Sequence, residues 1–290
     1  MQPTDQQLNH FHTFGYLLFP ALLRPDEVEW ITEEFEQVLQ SHGTDHDGTK
    51  HTQIVPMLDH NERLCSLLDD ARILGIASAI LGDDFNYAGG DGDFWVGDTP
   101  WHPDGNYPDL FAIKFAFYLD PLTRDTGCLR VLPGSHLPES YWRHGNMHPG
   151  NAGELWDIDP WEIPGNVAIE TSPGDLVVFN HSLFHASFGG GNRRRQFSMN
   201  LHKRGKTDAD LARIDQYLSH HGTIPRGIRI GGKFTGRGPG SMYADFSMYT
   251  DLMIDSATPE RLRHLSQLHE RAVLVHPHAA PPRPLPDDNT

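Results

Sequence analysis

Two stretches near the start of the chain carry apolar residues at helical spacing. The segment PDEVEWITEEFEQVLQ places four apolar residues on one helical face: Val28, Ile31, Phe35 and Val38. The segment DDARILGIASAILG repeats this spacing, and Gly82 ends the run. We therefore predict two helices that cover the N-terminal side of a larger core.

From Phe85 to about Leu201 the pattern changes to short apolar runs that are separated by turn residues. The runs are FNYAGG, FWVGD, LFAIKFAFYLD, GCLRVLPGSH, NVAIETSPGDLVVF and RQFSMNL. Strands that follow one another without intervening helices are typical of an antiparallel sandwich or barrel. The jelly roll is a common way to close such a barrel, so the pattern favours this fold class.

Two more helices are predicted after the strand-rich region. TDADLARIDQYLSHHG has Thr207 as its N-cap with Asp210 three residues later, and TPERLRHLSQLHERA begins at Thr258. The glycine-rich segment GGKFTGRGPG between them lacks the G-x-x-x-x-G-K-[ST] pattern and its strand-to-helix context. We expect a connector or a movable loop there, and no nucleotide site.

The patterns together predict one domain over residues 1–275. It consists of an N-terminal helical cover (1–84), a jelly-roll core (85–205) and a C-terminal extension (206–275). We expect the extension to close over the mouth of the barrel as a lid, although a contact between subunits is the alternative. The oligomeric state is not predicted. The proline-rich residues 276–290 have the composition of a disordered tail.

Composition restricts the classes of function. With 290 residues and 38% hydrophobic content, the chain can bury one large core. A formal net charge of −16 argues against a nucleic-acid partner, which relies on positive surface. The chain lacks a signal-like start and a run of about 20 apolar residues, so we expect no membrane partner and a cytoplasmic location. Two cysteines without C-x-x-C spacing agree with a reducing compartment.

The segment TPWHPDGNY contains the first candidate chemistry. His102 and Asp104 are two positions apart, so in an extended chain their side chains point in the same direction. Pro103 and Gly105 place the pair where a strand ends. One small object, such as a metal ion, could therefore be held by both side chains, although an isolated H-x-D pair is a weak signal by itself.

A metal site needs at least one further ligand, and PGDLVVFNHSLFHAS offers His181 and His185. On a helix this spacing would make a zinc-binding pair, but the surrounding residues predict extended chain. Four residues of a straight strand span about 13 Å, which is too far for both histidines to bind one ion. The spacing alone does not decide between them.

Four blocks of this chain resemble the phytanoyl-CoA dioxygenase family of iron(II)/2-oxoglutarate oxygenases. They are FHTFGYLLFPALLRPDEVEWI, WHPD, GCLRVLPGSH and PGDLVVFNHSLFHAS, which occur here in the family's order. The resemblance implies a double-stranded β-helix, a cupin-like form of the jelly roll with flanking helices. It also implies that iron(II) is bound by His102, Asp104 and His185, with His181 outside the ligand set.

The resemblance also implies a binding site for the cosubstrate 2-oxoglutarate. Ser187 occupies a position that often helps to hold the cosubstrate carboxylate. The arginine that binds the far carboxylate should start the next strand, where the chain offers Arg193, Arg194 and Arg195. The family usually has small or polar residues on the arginine's face, and the resemblance therefore favours Arg194, whose face continues with Gln196, Ser198 and Asn200; Arg195, on the opposite face, is the alternative.

These residue types suit the chemistry of the family. Two imidazoles and one carboxylate on one side of an octahedral iron(II) leave three positions, two for 2-oxoglutarate and one for O2. The resemblance implies formation of succinate and CO2 and hydroxylation of an unactivated C–H bond of a small-molecule substrate. Related halogenases have a small residue in place of the carboxylate ligand, so Asp104 argues against halogenation. Desaturation, epoxidation and ring formation remain open.

Lys114 in FAIKFAFYLD is a further candidate site residue. If the apolar alternate positions meet the helices, Lys114 points into the barrel, where a buried lysine needs an anionic partner. We favour a structural ion pair, with a contact to 2-oxoglutarate or substrate as the sharper alternative. His136, in contrast, is expected to stabilise a turn by hydrogen bonding.

Two other functions compete with an oxygenase. The same ligands could serve a hydrolytic or structural zinc protein, or the jelly roll could bind a ligand without catalysis. The arginine-rich segment after His185 favours the oxygenase, because zinc hydrolysis gives no reason for a cosubstrate clamp. The identity of the prime substrate cannot be read from these residues.

Overall fold

The computed structural model describes residues 1–41, 44–144, 147–221, 227–234 and 248–276. Both N-terminal helices predicted from periodicity are confirmed, as α2 and α4, and their apolar faces are buried. Two helices that the pattern did not reveal accompany them. In chain order the four are α1 (Asp5–Phe14), α2 (Pro25–Ser41), α3 (Glu62–Cys65) and α4 (Ala71–Leu81).

The strands of the described residues form two antiparallel sheets. The larger sheet has the spatial order β1 (Tyr16–Phe19), β9 (Leu176–Asn180), β6 (Ala112–Tyr118), β11 (Arg194–Lys203), β4 (Gly92–Trp95), β2 (Thr52–Val55), β12 (Gly227–Ile230) and β13 (Lys233–Phe234), and β3 (Phe85–Tyr87) also pairs with β11. The smaller sheet has the order β5 (Thr99–His102), β10 (His185–Ser187), β7 (Leu129–Val131) and β8 (Val167–Ile169).

Side-chain alternation gives the larger sheet one apolar face and one cavity face. On β11, Phe197, Met199 and Leu201 are buried in the main core together with residues of the helices. The alternate residues Gln196 and Ser198 line a cavity between the sheets. This division follows from the two-residue period of a strand.

A second apolar cluster joins the two sheets beside that cavity. Val177 and Phe179 of the larger sheet pack there with Leu129 and Val131 of the smaller one. Packing of this kind fixes the separation of two sheets at about 10 Å. Side chains from both sheets can therefore meet in the cavity between them.

The flanking segments add strands to the larger sheet, which the sequence analysis did not predict. β1 and β2 come from the N-terminal part, and β12 and β13 come from the C-terminal extension. Each has four residues or fewer, which is too short for a clear period-2 signal. The N-terminal segment is thus part of the sheet as well as a helical cover.

Both helices predicted in the C-terminal extension begin where expected. They are α6 (Asp208–His221), which follows Thr207, and α8 (Pro259–Val275), whose N-cap Thr258 accepts a hydrogen bond from the Arg261 amide. The short helices α5 (Ala152–Trp156), between β7 and β8, and α7 (Asp251–Asp255) were not predicted. The first part of the glycine-rich segment is the turn between β12 and β13. Residues 235–247, and the predicted tail from 277 onward, lie outside the described residues, so the lid stays a prediction.

Other features of the sequence have a structural place. Cys65 and Cys128 are buried and unpaired with one another, and burial raises the pKa of Cys128 to about 11. His136 faces the backbone carbonyl of His12 through Nε2 at 3.2 Å, so it contacts α1, 124 positions away, and this contact is not within its own turn as expected. Within the described ranges, the helices are all too short or too polar to cross a bilayer.

One arginine ties the two predicted N-terminal helices together. Arg72, in the first turn of α4, donates to the Leu22 carbonyl at 2.7 Å and to Glu27 at the start of α2 at 2.8 Å. It also pairs with Asp70, the N-cap of α4. Because all three charged side chains are at least three-quarters buried, these contacts hold the two helix starts in register.

We expect Arg72→Gln to lower the free energy of unfolding by about 1–3 kcal/mol, because it leaves the Asp70 carboxylate without its cation and leaves Glu27 with only the exposed Arg24. Hydrogen bonding to Arg72 lowers the pKa of Glu27. The stability from this pair is therefore present above the unfolded pKa of about 4 and is lost as the pH falls through the lower folded value.

Urea unfolding at several pH values measures this effect. The difference between the unmodified protein and Arg72→Gln should be greatest at neutral pH and should shrink below pH of about 4. Arg263→Gln is the control, because its pair with Glu260 is about half exposed, and it should change stability by less than about 0.5 kcal/mol. Equal effects of the two variants would contradict the assigned role of Arg72.

Candidate active site

Strand pairing brings the two candidate histidine ligands together. β5 and β10 are antiparallel neighbours in the smaller sheet, and His102 lies directly opposite His185. Their ring centroids are 4.3 Å apart. Residues that face each other across antiparallel strands have Cβ atoms about 5 Å apart, so the register itself sets the spacing of the pair.

Backbone carbonyls orient both imidazole rings. The Nδ1 of His102 lies 2.7 Å from the Pro100 carbonyl, and the Nδ1 of His185 lies 3.0 Å from the Leu183 carbonyl. A carbonyl oxygen can only accept a hydrogen bond, so each Nδ1 carries the proton. Each Nε2 is then the nitrogen with a lone pair for a metal ion.

Asp104 completes a cluster of three potential ligands. Ligand atoms of His102, Asp104 and His185 all lie within 4.8 Å of one another. Pro103 and Gly105 follow the end of β5, so the carboxylate leaves the strand and turns towards His185. The Oδ2 of Asp104 is 3.8 Å from the Nε2 of His185. A set of two nitrogens and one carboxylate oxygen fits a divalent iron site.

Lys114 forms an ion pair with the same carboxylate. Its Nζ lies 2.8 Å from the Oδ2 of Asp104, and both side chains are more than four-fifths buried. This contact is a structural ion pair of the kind that the sequence analysis favoured for Lys114. A contact of Lys114 with 2-oxoglutarate stays a prediction.

Two of the three potential ligands, His185 and Asp104, have the protonation state that a metal requires. Burial lowers the pKa of His185 to about 3, so this imidazole is neutral at physiological pH. Burial alone would raise the pKa of Asp104, but the charge of Lys114 and the nearby histidines hold it well below its usual range. A metal would therefore displace no proton from either group near neutral pH.

His181 occupies a different position from His185. β9 ends at Asn180 and β10 begins at His185, so the chain crosses from one sheet to the other between the two histidines. The Nε2 of His181 faces Asn200 on β11 at 3.1 Å. Among the residues that the structure describes, the potential metal cluster contains His185 and does not contain His181.

The three consecutive arginines have different surroundings. Arg195 forms an ion pair with Asp120 at 2.6 Å and another with Glu36 at 2.9 Å. Arg193 is 45% exposed and also contacts Glu36. Arg194 alone of the three lines the cavity, because its neighbours point to the opposite face of β11.

Arg194 and Ser187 meet at the far end of the candidate site. Arg194 is 4% exposed. Its Nη1 donates to the Ser187 hydroxyl and to the Gly127 carbonyl, and its Nη2 reaches Thr99 Oγ1 at 3.5 Å. The Nε is buried without a hydrogen-bond partner in the described part of the chain. A buried guanidinium with such an unused donor is suited to an anionic ligand.

The metal cluster and Arg194 share one cavity of about 190 Å³. The smaller sheet provides the metal-ligand side, and the larger sheet provides Arg194, Gln196 and Ser198. Apolar side chains such as Leu129 and Phe179 fill part of the wall. A carboxylate ligand held at Arg194 could therefore lie in the same space as the metal cluster.

Several cavity residues were missed by sequence reasoning. They are Asp91, immediately before β4, Asp93 on β4, and Gln53 on the unpredicted β2. Asp91 and Asp93 have the same two-residue spacing as His102 and Asp104. That spacing in GGDGDFW was the available signal, because it places both carboxylates on one face of a strand.

Comparison with known proteins identifies the same family as the four sequence blocks. The phytanoyl-CoA dioxygenase (PhyH) profile matches residues 11–196. The chain is 25% identical over 151 residues to the ectoine dioxygenase of Nocardia farcinica, covering 46% of this chain and 51% of that enzyme. It is 23% identical over 214 residues to the ectoine dioxygenase of Sphingopyxis alaskensis, covering 63% and 70%. The chain thus spans about half of the first relative and more of the second.

HygX from Streptomyces hygroscopicus, solved with nickel and 2-oxoglutarate bound, has a related fold. The TM-score is 0.58 with 16% identity, over 72% of this chain and 90% of HygX. This likeness confirms the predicted double-stranded β-helix with flanking helices. The family match extends over the blocks on which the resemblance was based and includes every residue that lines the cavity except Ser198. The chain belongs to the phytanoyl-CoA dioxygenase (PhyH) family.

Proposed function

We propose that this protein is a non-haem iron(II)- and 2-oxoglutarate-dependent dioxygenase that hydroxylates an unactivated C–H bond of a small molecule. The observation that carries the proposal is one cavity with two functional ends. Two register-paired histidines and a carboxylate stand at one end, and the buried Arg194 stands at the other. Both cofactors are also those of the solved relatives, since HygX has been solved with iron and with 2-oxoglutarate.

His102, Asp104 and His185 would hold the iron on one side. Iron(II) bound there would supply O2 activation, which drives decarboxylation of 2-oxoglutarate to succinate and CO2 and oxidation of the substrate. The protein contributes the orientation of both imidazoles through the Pro100 and Leu183 carbonyls. It also keeps Asp104 ionised through Lys114.

Arg194 and Ser187 would bind the far carboxylate of 2-oxoglutarate. The planar guanidinium can bind a carboxylate through two parallel hydrogen bonds, and Ser187 is already fixed beside it. The Ser187 hydroxyl donates to the Gly127 carbonyl at 2.8 Å, which holds its oxygen towards Arg194. This arrangement would set the direction from which the keto acid end approaches the iron.

The arginine distinguishes the oxygenase from the zinc hydrolase and from a binder without catalysis. A hydrolytic zinc site needs an open position for water and has no use for a buried anion clamp in the same cavity. A non-catalytic binder would not require three potential metal ligands whose ligand atoms lie within 4.8 Å of one another. The combination of Arg194 and the cluster therefore supports oxygenase chemistry.

Anaerobic titration tests the proposed function directly. We expect the full-length protein to bind 2-oxoglutarate tightly only with iron(II) present, and to form succinate when O2 is admitted. A metabolite screen should then find a compound that stimulates succinate formation and gains an oxygen atom, as detected by mass spectrometry. Binding of 2-oxoglutarate that is independent of metal, or zinc-dependent hydrolysis in place of succinate formation, would contradict the proposal.

The two histidines of the HSLFH segment provide a matched pair for the metal site. We expect His185→Gln to weaken iron(II) binding by about 100-fold or more, since loss of an outer partner alone costs 10- to 100-fold. His181→Gln should retain affinity within about tenfold, because His181 faces Asn200. Anaerobic calorimetry measures both affinities, and circular dichroism checks that each variant is folded. A larger loss for His181→Gln would move the ligand role to His181.

The three arginines provide a matched set for the cosubstrate. Arg194→Ala should weaken 2-oxoglutarate binding by about 30- to 1000-fold, equivalent to about 2–4 kcal/mol, with iron(II) affinity nearly unchanged. Arg195→Ala and Arg193→Ala should affect 2-oxoglutarate by less than about threefold, because their partners are Asp120 and Glu36. The measurement is 2-oxoglutarate binding to iron-loaded protein. If Arg194→Ala binds normally while another variant does not, the assignment of Arg194 is wrong.

A further inference from the structure

The wall of the cavity formed by β4 is acidic. Asp91, Asp93 and Trp95 face the cavity at alternate positions, across from the metal cluster on the smaller sheet. In the larger sheet, Gln53 and Gln196 lie directly beside Asp93 on the neighbouring strands. Neither the proposed iron site nor the proposed 2-oxoglutarate site gives a role to Asp91, Asp93 or the two glutamines.

Asp93 is held by the protein itself. Its side chain is 4% exposed, and Oδ1 lies 2.8 Å from the Nε2 of His51. The His51 ring stacks on Trp95 with a centroid distance of 3.9 Å and an interplanar angle of 6°. Asp93 therefore has a fixed position and a local partner.

Asp91 has a fixed backbone but a poorly compensated carboxylate. Its amide donates to the Ser198 hydroxyl at 3.1 Å, and its carbonyl accepts from the Ser198 amide at 2.8 Å. The carboxylate accepts a hydrogen bond from the neutral Gln53 amide at 3.2 Å. A structural carboxylate in this chain, Asp175, instead accepts two backbone N–H groups, from Ala21 and Ser172.

The cations around the cavity are engaged elsewhere. Lys114 pairs with Asp104, and Arg194 donates to Ser187 and Gly127. Arg229 donates to Gln53 Oε1 at 2.9 Å, and among the described residues no ion pair joins any cation to Asp91. Within the cavity lining, three aspartates face two cations. Iron(II) and the 2-oxoglutarate dianion cancel, so the loaded site carries one excess negative charge whenever all three aspartates are ionised.

We propose that this wall binds a protonated amine of the substrate, with the Asp91 carboxylate as counter-ion and with Gln53 and Asp93 beside it. The inference rests on the proposed function, because it assigns a substrate class to the same cavity. An ammonium group supplies the missing positive charge and donates hydrogen bonds to the carboxylate and the amide oxygen. A neutral hydroxyl would satisfy the hydrogen bonds but leave the buried charge uncompensated.

The electrostatics of Asp91 agree with this assignment. Burial and the neighbouring Asp93 raise the pKa of Asp91 to about 7. Lys114 and Arg229 act in the opposite direction, but they do not restore the usual value. A cation placed at the carboxylate would favour the ionised form, as Lys114 already does for Asp104.

Paired small molecules test the proposal on the full-length protein loaded anaerobically with iron(II) and 2-oxoglutarate. The probes are putrescine and glucosamine, compared with their uncharged counterparts N,N′-diacetylputrescine and N-acetylglucosamine. Binding is followed by the visible absorption of the iron–cosubstrate complex, and succinate formation is measured after O2 is admitted. We expect the amines to act at concentrations at least about tenfold lower than their neutral partners.

Asp91→Asn should remove this preference while iron(II) and 2-oxoglutarate bind as before. Asp125→Asn removes the same charge from a side chain that is 85% exposed, and it should keep the preference. Equal action of amines and neutral partners, no response to either set, or an unchanged preference in Asp91→Asn would overturn the proposal.

The two levels of inference fail separately. If iron(II)-dependent 2-oxoglutarate binding is absent from the unmodified protein, the proposed function is wrong. If that binding is present but amines have no advantage, only the substrate class is wrong. The comparison in the unmodified protein remains decisive even if Asp91→Asn does not fold.

Discussion

The pairing of β5 with β10 is the constraint on which the candidate site depends. It places His102 opposite His185 without help from any loop, and the end of β5 delivers Asp104 to the same point. A shift of one residue in this register would turn one histidine to the other face of the sheet. The pairing of β10 with β7 on its other side, where His185 lies opposite Val131, makes such a shift costly.

Charge compensation explains the rest of the cavity. Two buried aspartates there, Asp104 and Asp93, have partners that account for them, since burial of an isolated charge is expensive. Lys114 compensates Asp104, His51 contacts Asp93, and Arg194 is surrounded by oxygen acceptors with one donor left over. The departures from full compensation, at Arg194 and Asp91, lie in the positions assigned here to ligands. The positions proposed for ligands are thus those where a buried charged side chain of the cavity lacks a partner of opposite charge among the described residues.

The sequence predicted those parts of the fold that depend on residues close together in the chain. The apolar face of α2 and the end of α4 at Gly82 could be read from residues within one or two helical turns. The same alternation rule indicated which face of β11 carries Arg194. The fold class also followed, because the strand-rich core lacks intervening helices.

Features that depend on residues far apart in the sequence could not be predicted from local patterns. β2 and β12 are short and are stabilised by each other's hydrogen bonds, so neither has a strong signal alone. The choice of His185 over His181 needed a family resemblance, because the deciding contact is with a strand more than eighty residues earlier. Asp91 and Asp93 were overlooked for a different reason, since their alternation was visible but their shared cavity was not.

The pairing of β12 with β2 has a consequence for how this chain can be shortened. Gln53 and Arg229 are 176 positions apart, so this edge of the sheet closes only after most of the chain exists. Without β12, the backbone N–H and C=O groups along one side of β2 would be unpaired, as in any uncovered edge strand. The metal cluster and Arg194 all precede residue 200. Truncation in the C-terminal extension would therefore act first through self-association at this exposed edge, while the metal ligands and the arginine remained in the chain.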